Sequence, residues 1–240
     1  MAKKTRVFCR SRGITYTTDG RFLYAEIGGD RIKLALFDGH YYKLRLFNEV
    51  PVLEIDGVRM HLVKDFETPL DYAKQVVKGL SIPLKGKFAV LDCCTGLGYT
   101  AIELSKKKSA KSIVTCELSR SVIELAKWNP LSDPLFNDKR IILMNGSIAD
   151  IIKDLGSSTF SFVVHDPPRF SHAPDLYSSE FYKELYRVCK KGAKIFHYVG
   201  SVGRKKGRNI ANEVKKRLEK AGFIKITYSE KLQGLYGFKP

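Results

Sequence analysis

The sequence predicts an α/β protein, with a doubly wound, mostly parallel seven-stranded sheet that follows a small antiparallel β domain. Two observations lead to this prediction. Residues 1–66 hold short apolar or β-branched runs cut by Asp-Gly and Gly-Gly dipeptides, which supply the positive φ of tight hairpins. From residue 88 onward, short apolar runs alternate with amphipathic segments, the rhythm of a doubly wound sheet. We therefore predict a β-rich domain at 1–66, a linking helix and connector at 67–87, and a doubly wound domain at 88–240.

In the first part, the hairpin dipeptides separate the predicted strands. These strands are Ile14–Thr18, Arg21–Ile27, Arg31–Phe37, His40–Phe47, Val52–Ile55 and Val58–Val63. The alternation of polar and apolar residues along Lys43–Phe47 is typical of an antiparallel sheet with one solvated face. Helical spacing then predicts a helix over Asp71–Leu80, with Gly79 and Pro83 marking its end.

In the second part, apolar runs suited to buried parallel strands lie between helical patterns. The predicted strands are Phe88–Cys93, Ser112–Glu117, Arg140–Met144, Phe160–His165 and Ala193–Val199. The helical patterns include Ala101–Lys107, Ser119–Trp128 and Phe181–Lys191. At the tail, Ile224–Tyr228 and Leu235–Phe238 flank a short polar loop, so we expect an antiparallel hairpin to finish the sheet.

The composition narrows the class of protein. Forty-two Lys and Arg against 25 Asp and Glu leave a formal net charge of +17, which attracts polyanions and favours a nucleic-acid partner. The five cysteines show neither metal-ligand spacing nor a disulfide framework, so we predict no metal site and a reducing, cytoplasmic setting. No apolar run approaches the roughly 20 residues of a membrane span, and we expect no membrane partner.

The stretch Val90–Thr100 reads as a strand, a glycine-containing turn and the start of a helix. Gly96 and Gly98 let the backbone approach a ligand closely. The next strand ends in Glu117, about 20 residues after the turn, where a ribose diol would find an acceptor. These features alone fit either a dinucleotide or S-adenosylmethionine (SAM).

The stretch His165–Phe170 follows the fourth parallel strand, where ligands of open α/β sheets bind. Pro167 and Pro168 fix φ and remove two N–H donors, so the turn offers the Asp166 carboxylate and carbonyls as acceptors. This acceptor-only frame suits a nitrogen nucleophile, whose lone pair needs only to be freed and aligned.

The stretch from Phe88 to Val199 resembles class I SAM-dependent methyltransferases. Asp92 matches the acid that ends their first strand, Gly96 and Gly98 match the second and third glycines of their turn, and Cys94 stands at the first. The resemblance implies that SAM is the cofactor, that the Asp92 region holds its methionine end and that Glu117 holds the ribose. The predicted cofactor-binding residues are Asp92, Cys94, Thr95, Gly96, Gly98, Tyr99, Thr100, Glu117, Leu118, Ser147 and Asp150. Of these, Ser147 or Asp150 would take the adenine amine that a Gly-Asp pair takes in the family.

Asp-Pro-Pro resembles the (Asn/Asp)-Pro-Pro-aromatic motif of amino-methylating nucleic-acid enzymes, so the predicted catalytic residues are Asp166, Pro167, Arg169 and Phe170. Arg169 or Phe170 would cover the base. Asp-Pro-Pro-Arg is also similar to a motif of RNA pyrimidine-C5 methyltransferases, which need a nucleophilic cysteine. Cys189 lies in a helical pattern and is predicted to be buried, which favours methylation on nitrogen. Across most of its length the chain looks closest to a group of predicted archaeal methyltransferases, on stretches that include Cys94–Ile102 and His165–Ser171.

The leading hypothesis is therefore methylation of a nitrogen of an RNA base, in tRNA or rRNA. The basic residues Arg204, Lys205, Lys206 and Arg208 would contact phosphates. The alternatives are a small-molecule methyltransferase, an aminopropyltransferase that resembles spermidine synthase, and an RNA-binding module without catalysis. The net positive charge and Arg169 count against an aminopropyltransferase, whose amine substrates are cations. His165 and His197 are predicted to pack structurally, as is His61, which could alternatively reach the cofactor; the oligomeric state stays open.

Overall fold

The computed structural model of the chain describes residues 6–200 and 210–240. Within them, the N-terminal part consists of strands β1 (Arg6–Ser11), β2 (Ile14–Thr18), β3 (Leu23–Ile27), β4 (Asp30–Lys33), β5 (Ala35–Asp38), β6 (His40–Phe47), β7 (Val50–Ile55) and β8 (Val58–Arg59). They form two antiparallel sheets of four strands, in the orders β1-β2-β3-β4 and β5-β6-β7-β8.

Two sheets replace the single sheet that the sequence predicted, because the predicted strand Arg31–Phe37 breaks at Leu34. The Leu34 side chain is buried, and its backbone joins both sheets. Its N–H donates to the Leu23 carbonyl of the first sheet, and its carbonyl accepts from the Leu44 N–H of the second, each at 2.9 Å. The chain therefore passes from one sheet to the other at this residue.

Other strands of this part also differ from the prediction. The first strand, β1, was not predicted. Strand β3 begins only at Leu23, because the Asp19 carboxylate caps the N–H groups of Arg21 and Phe22 and extends the turn. The predicted strand Val58–Val63 shortens to the two residues of β8.

The second part is a seven-stranded mixed sheet covered by helices. Its strands are β9 (Phe88–Asp92), β10 (Ala110–Glu117), β11 (Ile141–Asn145), β12 (Phe160–His165), β13 (Cys189–Tyr198), β14 (Ile224–Ser229) and β15 (Gly234–Phe238). The helices of the described chain are α1 (Pro69–Gly79), α2 (Tyr99–Ser105), α3 (Arg120–Trp128), α4 (Asp133–Asn137), α5 (Ile148–Asp154), α6 (Ser179–Val188) and α7 (Ile210–Ala221), with short 3₁₀ turns at Pro130–Ser132 and Pro174–Tyr177. The strand order is β11-β10-β9-β12-β13-β15-β14, and β15 runs antiparallel to both of its neighbours.

The boundary between α6 and β13 differs from the prediction. The sequence predicted a helix over Phe181–Lys191, but α6 ends at Val188 and Cys189 is the first residue of β13. Cys189 pairs with Phe160 of β12, so the sheet takes up residues whose local pattern is helical. Cys189 is fully buried, as the sequence predicted.

Helix α1 links the two parts, and its sequence explains its start. Thr68 and Asp71 form a reciprocal capping box, and Pro69 occupies the first turn, where its missing N–H costs nothing. One face of the helix buries Tyr72, Ala73, Val76 and Val77, which join a hydrophobic cluster shared with the N-terminal sheets and with one face of the large sheet. The other face of the large sheet packs against α5, α6 and α7 in a second cluster.

No helix of the described chain is both long and apolar enough to cross a membrane. Within the same residues, His, Cys, Asp and Glu side chains form no group that could hold a metal ion.

Candidate active site

Parallel pairing brings three strand-end acids to one edge of the large sheet. Asp92 lies opposite Thr115 on β10 and opposite Val164 on β12. Glu117 ends β10, and Asp166 follows β12 directly. The carboxyl ends of these strands form the ligand-binding edge of a doubly wound sheet.

The loop after β9 is held by a chain of buried hydroxyls. The Thr95 and Thr115 hydroxyls lie 2.7 Å apart, and Thr115 donates to Asp92 Oδ2 at 2.8 Å. The Thr95 N–H donates to the Cys116 carbonyl. Together these bonds fix the loop against β10.

The two glycines of this loop have different tasks. Gly98 has a φ of +81°, and a Cβ there would come within 2.7 Å of Leu135, so only glycine fits. Gly96 has a φ of +54°, but a Cβ there would meet nothing within 4 Å. The space above Gly96 is therefore open to a ligand.

Glu117 closes this open space on one side. Its Oε2 accepts from the Gly96 N–H and its Oε1 from the Ser119 N–H, both at 2.9 Å. Burial raises the pKa of Glu117, and the backbone hydrogen bonds oppose this rise. Each oxygen keeps a lone pair, so the carboxylate can accept from a ribose diol. The neighbouring Leu118 is 71% exposed and offers an apolar surface beside it.

Asp92 is wholly buried, and its Oδ1 has no hydrogen-bond partner in the described chain. Burial raises its pKa to about 8; the Thr115 hydroxyl opposes the shift, and the nearby Asp166 and Glu117 add to it. The residue thus anchors the loop through Thr115, and a direct contact between Asp92 and a ligand stays a prediction.

Asp166 differs from Asp92 because the residue is only half-buried. Burial raises its pKa to about 7, and the hydroxyl of Tyr72 on α1 opposes the rise. The Tyr72 hydroxyl is buried, and no other described residue competes with Asp166 for it. Asp166 can therefore exchange a proton near neutral pH, with a hydroxyl available beside it.

Tyr198, at the end of β13, also faces this site. Burial raises its pKa to about 12; the charge of Asp166 adds to the rise, while the charge and hydrogen bonding of Arg169 oppose it. The Tyr198 hydroxyl is therefore close enough to both Asp166 and Arg169 for their charges to act on it.

Contacts with Tyr177 hold the Asp-Pro-Pro loop in place. Pro167 is buried, and the Pro168 carbonyl accepts from the Tyr177 hydroxyl at 2.9 Å. The Phe170 ring is 41% exposed and packs edge-on against Tyr177, with centroids 5.6 Å apart. Phe170 thus leaves part of one ring surface at the mouth of the site.

Two buried histidines lie beneath this loop. His165 Nε2 donates to the Leu176 carbonyl at 2.9 Å, and His197 Nε2 lies 2.8 Å from the Tyr182 hydroxyl. Their ring centroids are 4.4 Å apart, and both Nδ1 atoms have no partner in the described chain. Burial lowers the pKa of His165 to about 4 and that of His197 well below its usual value. Both are packed structural residues.

One predicted cofactor residue is otherwise engaged. The Tyr99 hydroxyl donates to the Pro51 carbonyl of β7 at 2.7 Å and accepts from Asn129 at 3.0 Å. The Tyr99 side chain therefore joins the loop to the N-terminal sheet, and a contact between Tyr99 and a cofactor stays a prediction. His61 packs against Tyr99, with ring centroids 5.5 Å apart, and accepts from the Leu53 N–H.

For the other predicted cofactor-binding and RNA-binding residues, the described part of the chain shows no contact that indicates a ligand. Ser147 caps α5 by accepting from the Ala149 N–H, and Asp150 is exposed and pairs with Lys153 at 3.0 Å. Cys94 and Thr100 are partly buried in or beside the loop. The basic residues Arg204, Lys205, Lys206 and Arg208 lie outside the described residues.

Sequence reasoning missed Tyr72 and Tyr198 as site residues. Tyr72 lies within the predicted helix Asp71–Leu80 and Tyr198 within the predicted strand Ala193–Val199, and neither was predicted to have a role in a site. Both are tyrosines in otherwise apolar runs, and a buried tyrosine needs a partner for its hydroxyl. That signal does not say which partner.

Comparison with known proteins adds three findings. Residues 35–231 match the model of the spermine/spermidine synthase domain. An uncharacterized protein of Methanocaldococcus jannaschii is 40% identical over 223 residues, which cover 92% of this chain and 75% of that protein. The release factor glutamine methyltransferase of Clostridium acetobutylicum is 24% identical over 194 residues, which cover 72% of this chain and 66% of that protein.

Among solved structures, a spermidine synthase in complex with the transition-state analogue AdoDATO is similar in fold. The TM-score is 0.67 at 17% identity, covering 88% of this chain and 76% of that chain. The likeness extends over the N-terminal antiparallel region as well as the mixed sheet, because it takes in most of both chains.

Proposed function

The chain belongs to the spermine/spermidine synthase domain family, and on that premise we propose that it transfers an aminopropyl group from decarboxylated SAM to an amine nitrogen. The sequence alone favoured methylation of an RNA base, with aminopropyl transfer as an alternative. The family match favours the alternative.

The observation that carries the proposal is the position of the Asp166 carboxyl, which directly follows β12 and acts on Asp92 at the start of the loop after β9; burial raises its pKa to about 7. An aliphatic amine is protonated at neutral pH and must lose a proton before it can attack. A carboxylate with a pKa near the working pH is suited to take that proton. Tyr72 and Tyr198 flank Asp166 and can orient the amine.

The nucleoside would lie along the edge formed by Gly96 and Glu117. Gly96 leaves space for the ligand, and Glu117 has free lone pairs for the ribose hydroxyls. This fit is common to SAM, to decarboxylated SAM and to the methylthioadenosine product.

The net positive charge of the protein is weak evidence against an aminopropyltransferase. Charges separated by more than about 8–10 Å are largely screened in physiological salt. Asp166 and Glu117 lie close enough to Asp92 to raise its pKa, so three carboxyl groups and no described lysine or arginine ion pair meet at this edge of the sheet. Such a site favours a donor that carries an ammonium group and no carboxylate.

In the reaction, the Asp166 carboxylate takes a proton from the ammonium form of the acceptor. The freed nitrogen lone pair attacks the aminopropyl carbon that is bonded to the sulfonium. The C–S bond breaks and its electron pair stays on sulfur, which leaves neutral methylthioadenosine and an alkylated ammonium. The sulfonium is its own leaving group, so the protein supplies alignment, the base and exclusion of water.

Methyl transfer from SAM is the second candidate. It is supported by the 24% identity to the release factor glutamine methyltransferase and by the Asp-Pro-Pro loop at the end of β12. In this reaction Asp166 would again act as the base, the edge formed by Gly96 and Glu117 would bind SAM, and the acceptor would attack the methyl carbon.

The test is incubation of the protein with SAM or decarboxylated SAM and a panel of amines, followed by mass spectrometry. We expect methylthioadenosine and an aminopropylated amine from decarboxylated SAM. Methylated products, formed only with SAM, would favour the second candidate. No product with either donor, in a protein that binds neither nucleoside, would overturn the proposal.

Asp166→Asn tests the base. We expect kcat to fall about 100-fold or more, within the range for general base catalysis, while methylthioadenosine affinity stays within twofold of the wild type. The exposed Asp154→Asn is the matched control and should keep full activity. An active Asp166→Asn enzyme would show that the amine binds elsewhere.

A further inference from the structure

The edge of the large sheet at which its parallel strands begin, which we call the amino edge, carries a row of lysines. Asp92, Glu117 and Asp166 lie at the opposite edge, where those strands end. The row consists of Lys87 before β9, Lys111 in β10, Lys190, Lys191 and Lys194 in β13, and Lys225 in β14. Five strand spacings separate β10 from β14, so the row extends over about 24 Å at about 4.8 Å per strand.

These six lysines are at least partly exposed, and none of the ion pairs of the described residues includes any of them. Two acids near this edge are already paired with other cations. Glu103 lies 2.6 Å from Lys106, and Asp138 lies 2.6 Å from Arg140. The row therefore presents unpaired positive charge, which attracts a polyanion.

An open cavity of about 350 Å³ lies at the β13–β15–β14 end of the row. It is lined by Gly79, Lys194, Lys225, Tyr236, Gly237 and Phe238. Lys194 pairs with Phe238 across the ladder, and the Lys225 Nζ lies 5.8 Å from the centroid of the Phe238 ring. The Tyr236 hydroxyl donates to the Val76 carbonyl of α1 at 3.1 Å, which fixes this ring. The cavity thus combines two aromatic rings with two cations.

A β-bulge brings Lys225 to this cavity. Ile224 pairs with Phe238, and the register then shifts before Thr227. In a regular strand Lys225 would face the side of the sheet away from Phe238, because successive side chains point to opposite faces. Its φ of +52° is in the left-handed region, and the bulge turns its side chain back over the Phe238 ring.

We propose that the amino edge binds a single-stranded nucleic acid, with its phosphates along the lysine row and one base in the cavity. Lysines alone would suit any polyanion. The Tyr236 and Phe238 rings favour a nucleic acid, because every base has a flat face that can stack on an aromatic ring. An acidic protein segment would leave the two rings unused.

This surface is separate from the candidate active site. Strand β12 has six residues, so at about 3.3 Å per residue the amino edge lies about 20 Å from Asp166. The three acids of the other edge repel phosphates. A bound strand would therefore hold the protein on a nucleic acid without entering the nucleoside edge, and the inference does not depend on which reaction that site performs.

The test measures the fluorescence anisotropy of a labelled oligouridylate and a labelled oligothymidylate, each of about 12 nucleotides, between 50 and 200 mM salt. We expect the wild type to bind both with similar affinity, because lysines contact phosphates and aromatic rings contact base faces. Saturating methylthioadenosine should leave both affinities unchanged.

Neutralising three lysines of the row tests the phosphate contacts. The combined variant Lys190→Gln, Lys191→Gln and Lys225→Gln should bind at least tenfold more weakly at 50 mM salt. The slope of log Kd against log salt should fall by about 2, at about 0.7 per lost contact to a single strand. The matched control removes the same charge from exposed positions elsewhere, through Lys33→Gln, Lys64→Gln and Lys127→Gln, and should stay within twofold of the wild type.

Phe238→Leu tests the cavity, since it removes a ring and keeps an apolar side chain. We expect oligouridylate affinity to fall about fivefold or more, as for the loss of one stacked base. Affinity for inorganic polyphosphate, which has no bases, should not change. A thermal melt checks that the variant is folded.

Several results would overturn the inference. They are no binding of either strand by the wild type at 50 mM salt, and equal binding by the lysine variant and its control. Polyglutamate that competes as well as an oligouridylate of the same charge would show that the edge takes acidic proteins. Equal oligouridylate affinity in Phe238→Leu and the wild type would remove the base from the cavity.

Discussion

At the scale of single residues, buried titratable groups couple folding to pH in opposite directions. Asp92 and Asp166 have raised pKa values of about 8 and about 7, so the folded chain holds their protons more tightly than the unfolded chain. This stabilisation is lost as the pH rises through those values. His61 and His165 have pKa values lowered to about 4, so their contribution is lost as the pH falls below 6.5.

Between about pH 4 and pH 6.5 the two carboxyls and the two histidines oppose each other, and above pH 6.5 the carboxyls alone make the stability decline toward pH 8. Each proton that only the folded state holds contributes a slope of about 1.4 kcal/mol per pH unit. Asp92→Asn should remove a large part of the decline between pH 6.5 and pH 8, measured by urea unfolding at several pH values. The exposed Asp154→Asn should leave the slope unchanged. An equal slope in Asp92→Asn and the wild type would contradict the raised pKa.

At the scale of elements, the short 3₁₀ turn Pro174–Tyr177 holds the Asp-Pro-Pro loop. His165 donates to the Leu176 carbonyl, Tyr177 donates to the Pro168 carbonyl, and Arg217 of α7 donates to the Tyr177 carbonyl at 2.7 Å. The turn therefore ties the end of β12 to a helix on the outer face of the sheet.

Tyr177→Phe should loosen this connection without unfolding the protein. Losing one hydrogen bond costs about 1 kcal/mol, so we expect a small fall in Tm. Because the loop carries Asp166, kcat should fall several-fold while methylthioadenosine affinity stays constant. Stopped assays and calorimetry on the same preparation check this, and a change in nucleoside affinity alone would place the effect of the turn elsewhere.

The elements also show what sequence can predict. The parallel strands and the loop after β9 were recognisable because each strand is a short apolar run that ends in a charged residue or a glycine turn. The division of the N-terminal strands into two sheets could not be predicted, because it depends on the long-range hydrogen bonds of Leu34 to Leu23 and Leu44. Cys189 was assigned to a helix because its pairing with Phe160 is likewise invisible in local pattern.

The candidate site divides in the same way. Gly96, Glu117 and Asp166 stand at strand ends, so their chemistry could be predicted from position alone. Tyr72 and Tyr198 could not, since they come from a linking helix and from another strand and meet Asp166 only in the folded chain. The bond between the Tyr99 hydroxyl and Pro51 could not be predicted either, because the position of Tyr99 in the loop does not reveal it.

At the scale of the whole molecule, the six lysines of the amino edge account for only part of the net charge of +17. It predicts binding to polyanions, whatever reaction the site performs. RNA affinity should fall steeply between 50 and 200 mM salt, because bound Lys and Arg release counterions from phosphates. Neutralising Arg204, Lys205, Lys206 and Arg208 together should flatten this dependence in a filter-binding assay. If the wild type binds no RNA at low salt, RNA is not a partner.

The contact between Tyr99 and Pro51 has a consequence for how the molecule unfolds. Asn129 is fully buried and donates to both the Tyr99 and the Ser132 hydroxyls. The Ser132 hydroxyl in turn donates to the Leu97 carbonyl in the loop after β9. The N-terminal sheets and the large sheet also share one hydrophobic cluster. If either part unfolded alone, the other would be left with exposed apolar surface and unpaired polar groups. We therefore expect the two regions to unfold together, in one thermal transition rather than two.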